Sequence, residues 1–133
     1  EPCEGKTIGT DVGQCAEDFS LTSSTGELVS LYDYQGSVLF LDLSAFTWTG
    51  CQDLASGFNE FYLENKDAGL TSIVALMAQQ PSDLITWGES YGNDVIILND
   101  ADNEVWEQYR SDMYKPQYIV IDRDLTVWQD WEA

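Results

Sequence analysis

One cysteine in this chain stands where a strand hands over to a helix. Cys51 closes the run Thr47-Trp48-Thr49-Gly50-Cys51, after the apolar stretch Val38-Leu39-Phe40-Leu41-Asp42-Leu43 and before a helix-like segment opening at Gln52. A thiol at a helix start lies near unpaired N–H groups, which favour the thiolate, the form that attacks a disulfide. Asp42 and Asp53 are anionic neighbours, and burial disfavours charge, so these opposing effects leave the sign of the thiol's shift open. The alternative is a buried, inert thiol kept by packing. The chain has no histidine, so no imidazole can serve as base, which excludes Ser-His-Asp and Cys-His catalysis. Its three cysteines, Cys3, Cys15 and Cys51, lack metal-site spacing, so neither a metal nor a cofactor is expected.

Charge narrows the partners. The 133 residues carry 24 acidic side chains against Lys6, Lys66, Arg110, Lys115 and Arg123, a net charge of −19. Nucleic acid is excluded as a partner, because phosphate binding needs Lys and Arg to displace counterions. An anionic membrane surface would repel the chain, and no apolar run reaches the roughly 18 residues of a spanning helix. The sequence opens at Glu1 with no apolar leader. Membrane association is therefore expected only through a removed or lipidated N-terminus.

The elements that must position Cys51 follow from periodicity. Residues 1–16 read as an irregular, acidic extension. Phe19-Ser20-Leu21-Thr22 and Leu28-Val29-Ser30-Leu31 alternate as hairpin strands around a turn at Ser23–Gly26. The strand from Val38 leads to a helix over residues 51–65, where Leu54, Phe58, Phe61 and Tyr62 share a face and Gly69 follows the stop. Leu70–Ala78 predicts a second buried strand, Pro81 opens a helix with Asp83 in its first turn, and Val95–Leu98 predicts a third strand. A short helix over Asn103–Arg110 and a terminal strand pair, Ile119–Asp122 and Thr126–Trp128, complete an α/β domain of mixed pairing. Pro116 must sit at a strand start, where no ladder donor is needed. Asp100-Ala101-Asp102-Asn103-Glu104 lacks the glycine and terminal glutamate of a calcium loop and reads as a solvated turn capping the next helix. Trp128 and Trp131 near the terminus are expected on a partner-binding surface.

Three stretches together resemble a known family. Cys15-Ala16-Glu17-Asp18-Phe19-Ser20-Leu21 is similar to its entry signature, and residues 28–36 to a second signature before the central strand. Lys115-Pro116-Gln117-Tyr118-Ile119-Val120-Ile121-Asp122 resembles the proline-led strand that faces its active site. The family is that of the thioredoxin-like redoxins, in particular the group related to alkyl hydroperoxide reductase, thiol-specific antioxidant and cytochrome-maturation thioredoxins. The resemblance implies a central mixed sheet flanked by helices with an N-terminal β-hairpin extension, residues 1–16 forming an extension and 17–133 the domain. It also implies an extracytoplasmic setting, either periplasmic, secreted or lipoprotein-anchored. In that setting Cys3 and Cys15 are expected to pair, pinning the N-terminal segment.

The resemblance also assigns the site. Strands of this family often carry a buried acid six residues before the first active cysteine and nine before the second; from Asp42 those positions are Trp48 and Cys51. Asp42 then becomes a candidate acid/base and Cys51 the resolving thiol, with Trp48 in the nucleophile's place. A one-residue insertion would put Thr49 there instead, and neither alignment restores a dithiol. Lys115 and Pro116 would border a substrate groove, with Pro116 as the family's cis-proline. Three functions remain open: thiol redox chemistry on one cysteine with a protein-thiol or peptide partner, one-cysteine peroxidase chemistry, and non-catalytic peptide binding. For the peroxidase, Trp48 stands where Thr or Ser would bind peroxide, and Pro116 falls about where a helper arginine belongs.

Overall fold

The computed structural model describes residues 3–111, 113 and 115–132, with side chains in the last strand described as far as Trp128. A mixed sheet organises the chain. Its strands are β3 (Ser20–Ser23), β4 (Leu28–Ser30), β5 (Val38–Ala45), β6 (Leu70–Met77), β7 (Ile96–Asn99), β8 (Gln117–Ile121) and β9 (Val127–Glu132). Among the described residues the order is β4-β3-β7-β6-β5-β8-β9. β6 runs parallel to β5 and β7, whereas β8 is antiparallel to β5 and β9, and β3 is antiparallel to β4 and β7. Helices α1 (Thr49–Asn65), α2 (Ser82–Tyr91) and α3 (Glu104–Tyr109) supply the crossovers and cover.

Alternation along β5 divides the interior. Leu39, Leu41 and Leu43 point to one face, where they join Ile73, Ala75, Ile119 and Ile121 in a cluster closed by α3 and the N-terminal segment. Phe40 turns to the other face and packs against the cluster containing Cys51, Phe58, Val74, Leu76, Trp87 and Tyr118. Asp42 and Ser44 share Phe40's parity, so the period of two places an acid and a hydroxyl on the α1 side.

The N-terminal segment is more ordered than its composition suggests. Ile8–Gly9 (β1) and Cys15–Ala16 (β2) form a short parallel pair, and Cys15 also bridges Thr126. Backbone bonds run between Gly13 and Val127, Val127 and Gln14, and Ala16 and Leu125. Cys15 and Ala16 are fully buried. The edge of the terminal hairpin supplies partners that no local periodicity encodes. The Cys3–Cys15 disulfide closes this segment, with Cα atoms 5.7 Å apart.

Other bounds shift slightly. The terminal hairpin pairs residues 117–121 with 127–132, each strand longer than the sequence predicts, across a turn in which Leu125 has a φ of 71°. Asp100 is buried rather than solvated, and its carboxylate accepts the N–H groups of Val105 and Trp106 at 3.0 and 2.9 Å. The capping role stands, while the solvated setting does not. Gly69 ends the helical stretch after α1 with φ 100°, a left-handed conformation that favours glycine, and the Arg123 guanidinium lies over the space a Cβ would fill. Trp128 is 62% exposed; the Trp131 side chain lies outside the described residues.

Candidate active site

Cys51 occupies the third residue of α1, reached by the turn that follows β5. Two bonds shape that turn: Trp48 N–H donates to the Ala45 carbonyl at 3.2 Å, and the Gln52 side-chain amide donates to the Phe46 carbonyl at 3.0 Å. Trp48 is the helix N-cap in an extended conformation without a side-chain cap, because indole offers no acceptor for the first N–H groups. The Cys51 thiol is free, yet only 1% of the residue is exposed. Its sulfur accepts the Ala45 N–H at 3.4 Å.

The surroundings push on the thiol in opposite directions. Burial raises its pKa most; the Ala45 N–H and Ser44 bonds and the positive charge of Lys115 pull it down, and Asp42 pushes it up. The net direction is upward, so the site as it stands favours the protonated thiol. At this thiol, burial outweighs the hydrogen bonds and the positive charge that favour the thiolate.

Asp42 is 2% exposed, and burial pushes its carboxyl up to about 7, against a lowering bond from the Ser44 hydroxyl at 2.5 Å. Register places Asp42 opposite Tyr118 of β8. Burial, then the charges of Asp42 and Cys51, raise the Tyr118 phenol well above its ordinary range. Its ring stacks on Phe58 with centroids 5.9 Å apart.

The opposite wall comes from the segment before β8. The Lys115–Pro116 peptide is cis, and Pro116 is buried directly ahead of Gln117. The Lys115 carbonyl lies 3.4 Å from where a Cβ on Gly50 would sit, so the start of α1 rests close against this loop. The Lys115 ammonium sits over two indoles, 4.9 Å from the Trp48 ring centre and 4.3 Å from that of Trp106. Trp48 is 45% exposed and Thr49 is exposed, whereas Trp106 belongs to the buried core of α3.

Of the residues singled out from sequence, Cys51, Asp42, Lys115, Trp48 and Pro116 therefore frame one end of the sheet, and Thr49 lies on its outer rim. Cys3 and Cys15 lie outside this constellation in their own disulfide. Sequence reasoning missed Ser44, Tyr118 and Trp106. Ser44 was readable, since a residue two after Asp42 on a strand shares its face. Tyr118 needed the β5–β8 register, and no local signal pointed to Trp106. A separate apolar groove of about 670 Å³ runs along α1, lined by Leu54, Phe58, Phe61, Tyr118, Val120 and Trp128 among others.

The geometry can hold one thiol beside a buried acid and a cation, with an exposed indole on the rim. It offers no second thiol within this site, because the other two cysteines are bonded to each other. Comparison with known proteins agrees with the architecture. The fold is thioredoxin-like: the chain superposes on a Chlorobium tepidum protein assigned as the thiol:disulfide interchange protein DsbE with a TM-score of 0.84, at 23% identity, over 93% of this chain and 86% of that one. A secreted Mycobacterium tuberculosis disulfide oxidoreductase homologous to E. coli DsbE superposes with a TM-score of 0.72, at 19% identity, over 82% and 79%. At these identities the likeness concerns the fold. In sequence the chain is 31% identical to peroxiredoxin Bcp of Escherichia coli over 98 residues, covering 73% of this chain and 62% of the relative. Residues 12–129 match the AhpC/TSA family, and the chain belongs to that family.

Proposed function

We propose that this protein is an extracytoplasmic thiol-redox protein working on a single cysteine, with a protein or peptide thiol as partner. The observation that carries the reading is the placement of Cys51. A free thiol stands in the first turn of α1, within electrostatic reach of Asp42 and Lys115 and beside the loop of the cis Lys115–Pro116 bond. The Cys3–Cys15 bridge supports an oxidising compartment, where structural disulfides persist. Lys115 and Pro116 border the approach to the thiol in this reading, and Trp48 offers the incoming peptide an apolar face.

The chemistry is ordinary thiol–disulfide exchange. Cys51 loses its proton, with Asp42 as acceptor, and the thiolate attacks one sulfur of a partner disulfide. A Cys51–partner mixed disulfide forms, and the other partner sulfur leaves as a thiolate. With no second thiol in the site, an outside thiolate must attack the mixed disulfide, returning Cys51 as thiolate and leaving the partner joined to the outside sulfur. The raised pKa of Cys51 makes the first step slow at neutral pH, because only the small thiolate fraction attacks.

The test is direct. Folded protein incubated with glutathione disulfide should gain one glutathionyl group on Cys51, seen as a mass increase that a reductant reverses and that Cys51→Ser abolishes. Absence of the adduct in the folded state, with Cys51 reacting freely after unfolding, would reject the reading in favour of peptide binding around Trp48. A second reading has its own support in the 31% identity to a peroxiredoxin. Cys51 would then reduce a hydroperoxide to the alcohol, becoming a sulfenic acid that outside thiols reduce. Formation of that sulfenic acid with hydrogen peroxide, faster than the glutathionyl adduct, would favour it.

A further inference from the structure

Five cations serve this chain against 24 acids, and their partners differ. Lys6 pairs with Asp124 at 2.8 Å and Arg110 with Glu107 at 3.2 Å. The Arg123 guanidinium donates to the Gly36 and Ala68 carbonyls. Lys115 is held in another way: among the described residues it has no carboxylate within ion-pair distance, and two tryptophan faces grip its ammonium. A carboxylate would cancel the charge. An indole face attracts a cation through its quadrupole and carries no net charge, so the positive field persists.

We propose that Lys115 is a positioning residue that favours the thiolate of Cys51, and that Trp48 and Trp106 hold its ammonium in place without neutralising it. The inference rests on the thiol-redox reading of Cys51 for its purpose, although not for its test. Three observations converge. Gly50, the residue before Cys51, packs against the Lys115 carbonyl, which fixes this backbone relative to the start of α1. Trp106 is 2% exposed and anchored in α3, so one jaw of the clamp is rigid. Trp48 precedes the helix directly, so the other jaw belongs to the same turn that carries the thiol.

The charged and titratable groups that act on Cys51 come from separate elements. Asp42 from β5 opposes the thiolate, and Lys115 favours it. The Tyr118 phenol of β8 is coupled to the thiol and stays protonated at neutral pH. Apolar Val74, Leu76, Leu84 and Trp87 are what β6 and α2 contribute to the same cluster. Among the described residues, Lys115 is thus the full positive charge that counters Asp42 at the thiol. Its removal should leave only the Ala45 N–H and Ser44 bonds to oppose burial and Asp42. The pairing of a lysine with two tryptophans also explains why Trp48 can replace a polar helix cap: its ring serves the cation, not the helix.

The experiment is a pH titration of thiolate absorbance in the ultraviolet on the disulfide-intact protein, with the spectrum of Cys51→Ser subtracted. It is followed by alkylation with iodoacetamide. Lys115→Met should move the absorbance midpoint upward and slow alkylation at neutral pH by about three- to tenfold, the order expected for loss of one nearby charge. Lys115→Arg should recover most of both, since guanidinium keeps the charge and stacks on indole. Trp48→Leu, at a position 45% exposed, should shift the midpoint the same way by less. If Lys115→Met does not fold, Trp48→Leu carries the test. An unchanged midpoint in whichever of these variants folds overturns the proposal. Neither probe needs a disulfide substrate, so the two readings fail separately. A shifted midpoint without a glutathionyl adduct keeps the Lys115 assignment and rejects the redox function. An adduct with an unshifted midpoint does the reverse.

Discussion

The two faces of β5 are built from one strand and behave as different materials. On one, Leu39, Leu41 and Leu43 are each fully buried, sealed by α3, the first hairpin and a disulfide-tied N-terminal segment. On the other, Phe40, Asp42 and Ser44 face α1, where Leu54 and Phe61 remain more than 40% exposed and a groove runs along the helix. The difference teaches where this chain keeps its stability and where it keeps its chemistry. Packing is continuous on the sealed face, and every side chain there is replaceable only at a cost. The α1 face accepts a buried acid and a free thiol, groups that a core built for stability would exclude.

Substitution on each side of the strand separates the two roles. Leu41→Ala should give the largest effect, a loss of about 3–5 kcal/mol of unfolding free energy, because a fully buried leucine leaves a cavity that its neighbours fill only partly. Denaturant unfolding checks this, and the glutathionyl adduct of Cys51 should still form in the folded fraction. A loss below about 1 kcal/mol would mean that the sealed face can relax, and the contrast between faces would weaken.

One residue further on, the sign should reverse. The Asp42 carboxyl is pushed up to about 7 by burial, so between the ordinary carboxylate pKa and about 7 the unfolded chain is ionised while the folded chain keeps its proton. Stability contributed by that retained proton is complete at low pH and is lost as pH rises through this window. Asp42→Asn should therefore stabilise the protein by about 2–4 kcal/mol above neutrality and have little effect near pH 4. It should also raise the thiolate fraction of Cys51, because the Asp42 charge that opposes the thiolate is gone. Equal stability of the two proteins from pH 4 to 8 would show that Asp42 is not a strained acid.

These neighbouring residues also mark what could be read in advance. The apolar run at Val38 and its parity were legible, because a period of two is a local property. So was the helix behind Cys51, read over residues 51–65 from its helical spacing and observed from Thr49. The balance at the thiol was not, because it depends on Lys115, Ser44 and the depth of burial, which reach Cys51 from three places in the chain. The clamp on Lys115 joins residues 48, 106 and 115, and its two rings carry no sequence signal that distinguishes them from core tryptophans. The ordering of β1 and β2 was hidden for a similar reason: their partners lie at residues 125–127.

A smaller effect belongs to the seal itself. Replacing Cys3 and Cys15 together by Ser should cost about 2–3 kcal/mol, the order expected for opening a short loop of this length. The Cys51 titration should be untouched, since the bridge lies on the sealed face. A shift in that titration would show that the two faces communicate, and the division drawn here between stability and chemistry would have to be abandoned.

The central claim, that Cys51 performs exchange as a single thiol, is tested most directly by counting what it releases. Folded protein mixed with an excess of a peptide disulfide should liberate one leaving thiol per chain and then stall, resuming turnover when an outside thiol is added. Cys51→Ser should liberate none. No release from the wild-type protein, or equal release from Cys51→Ser, would contradict the account.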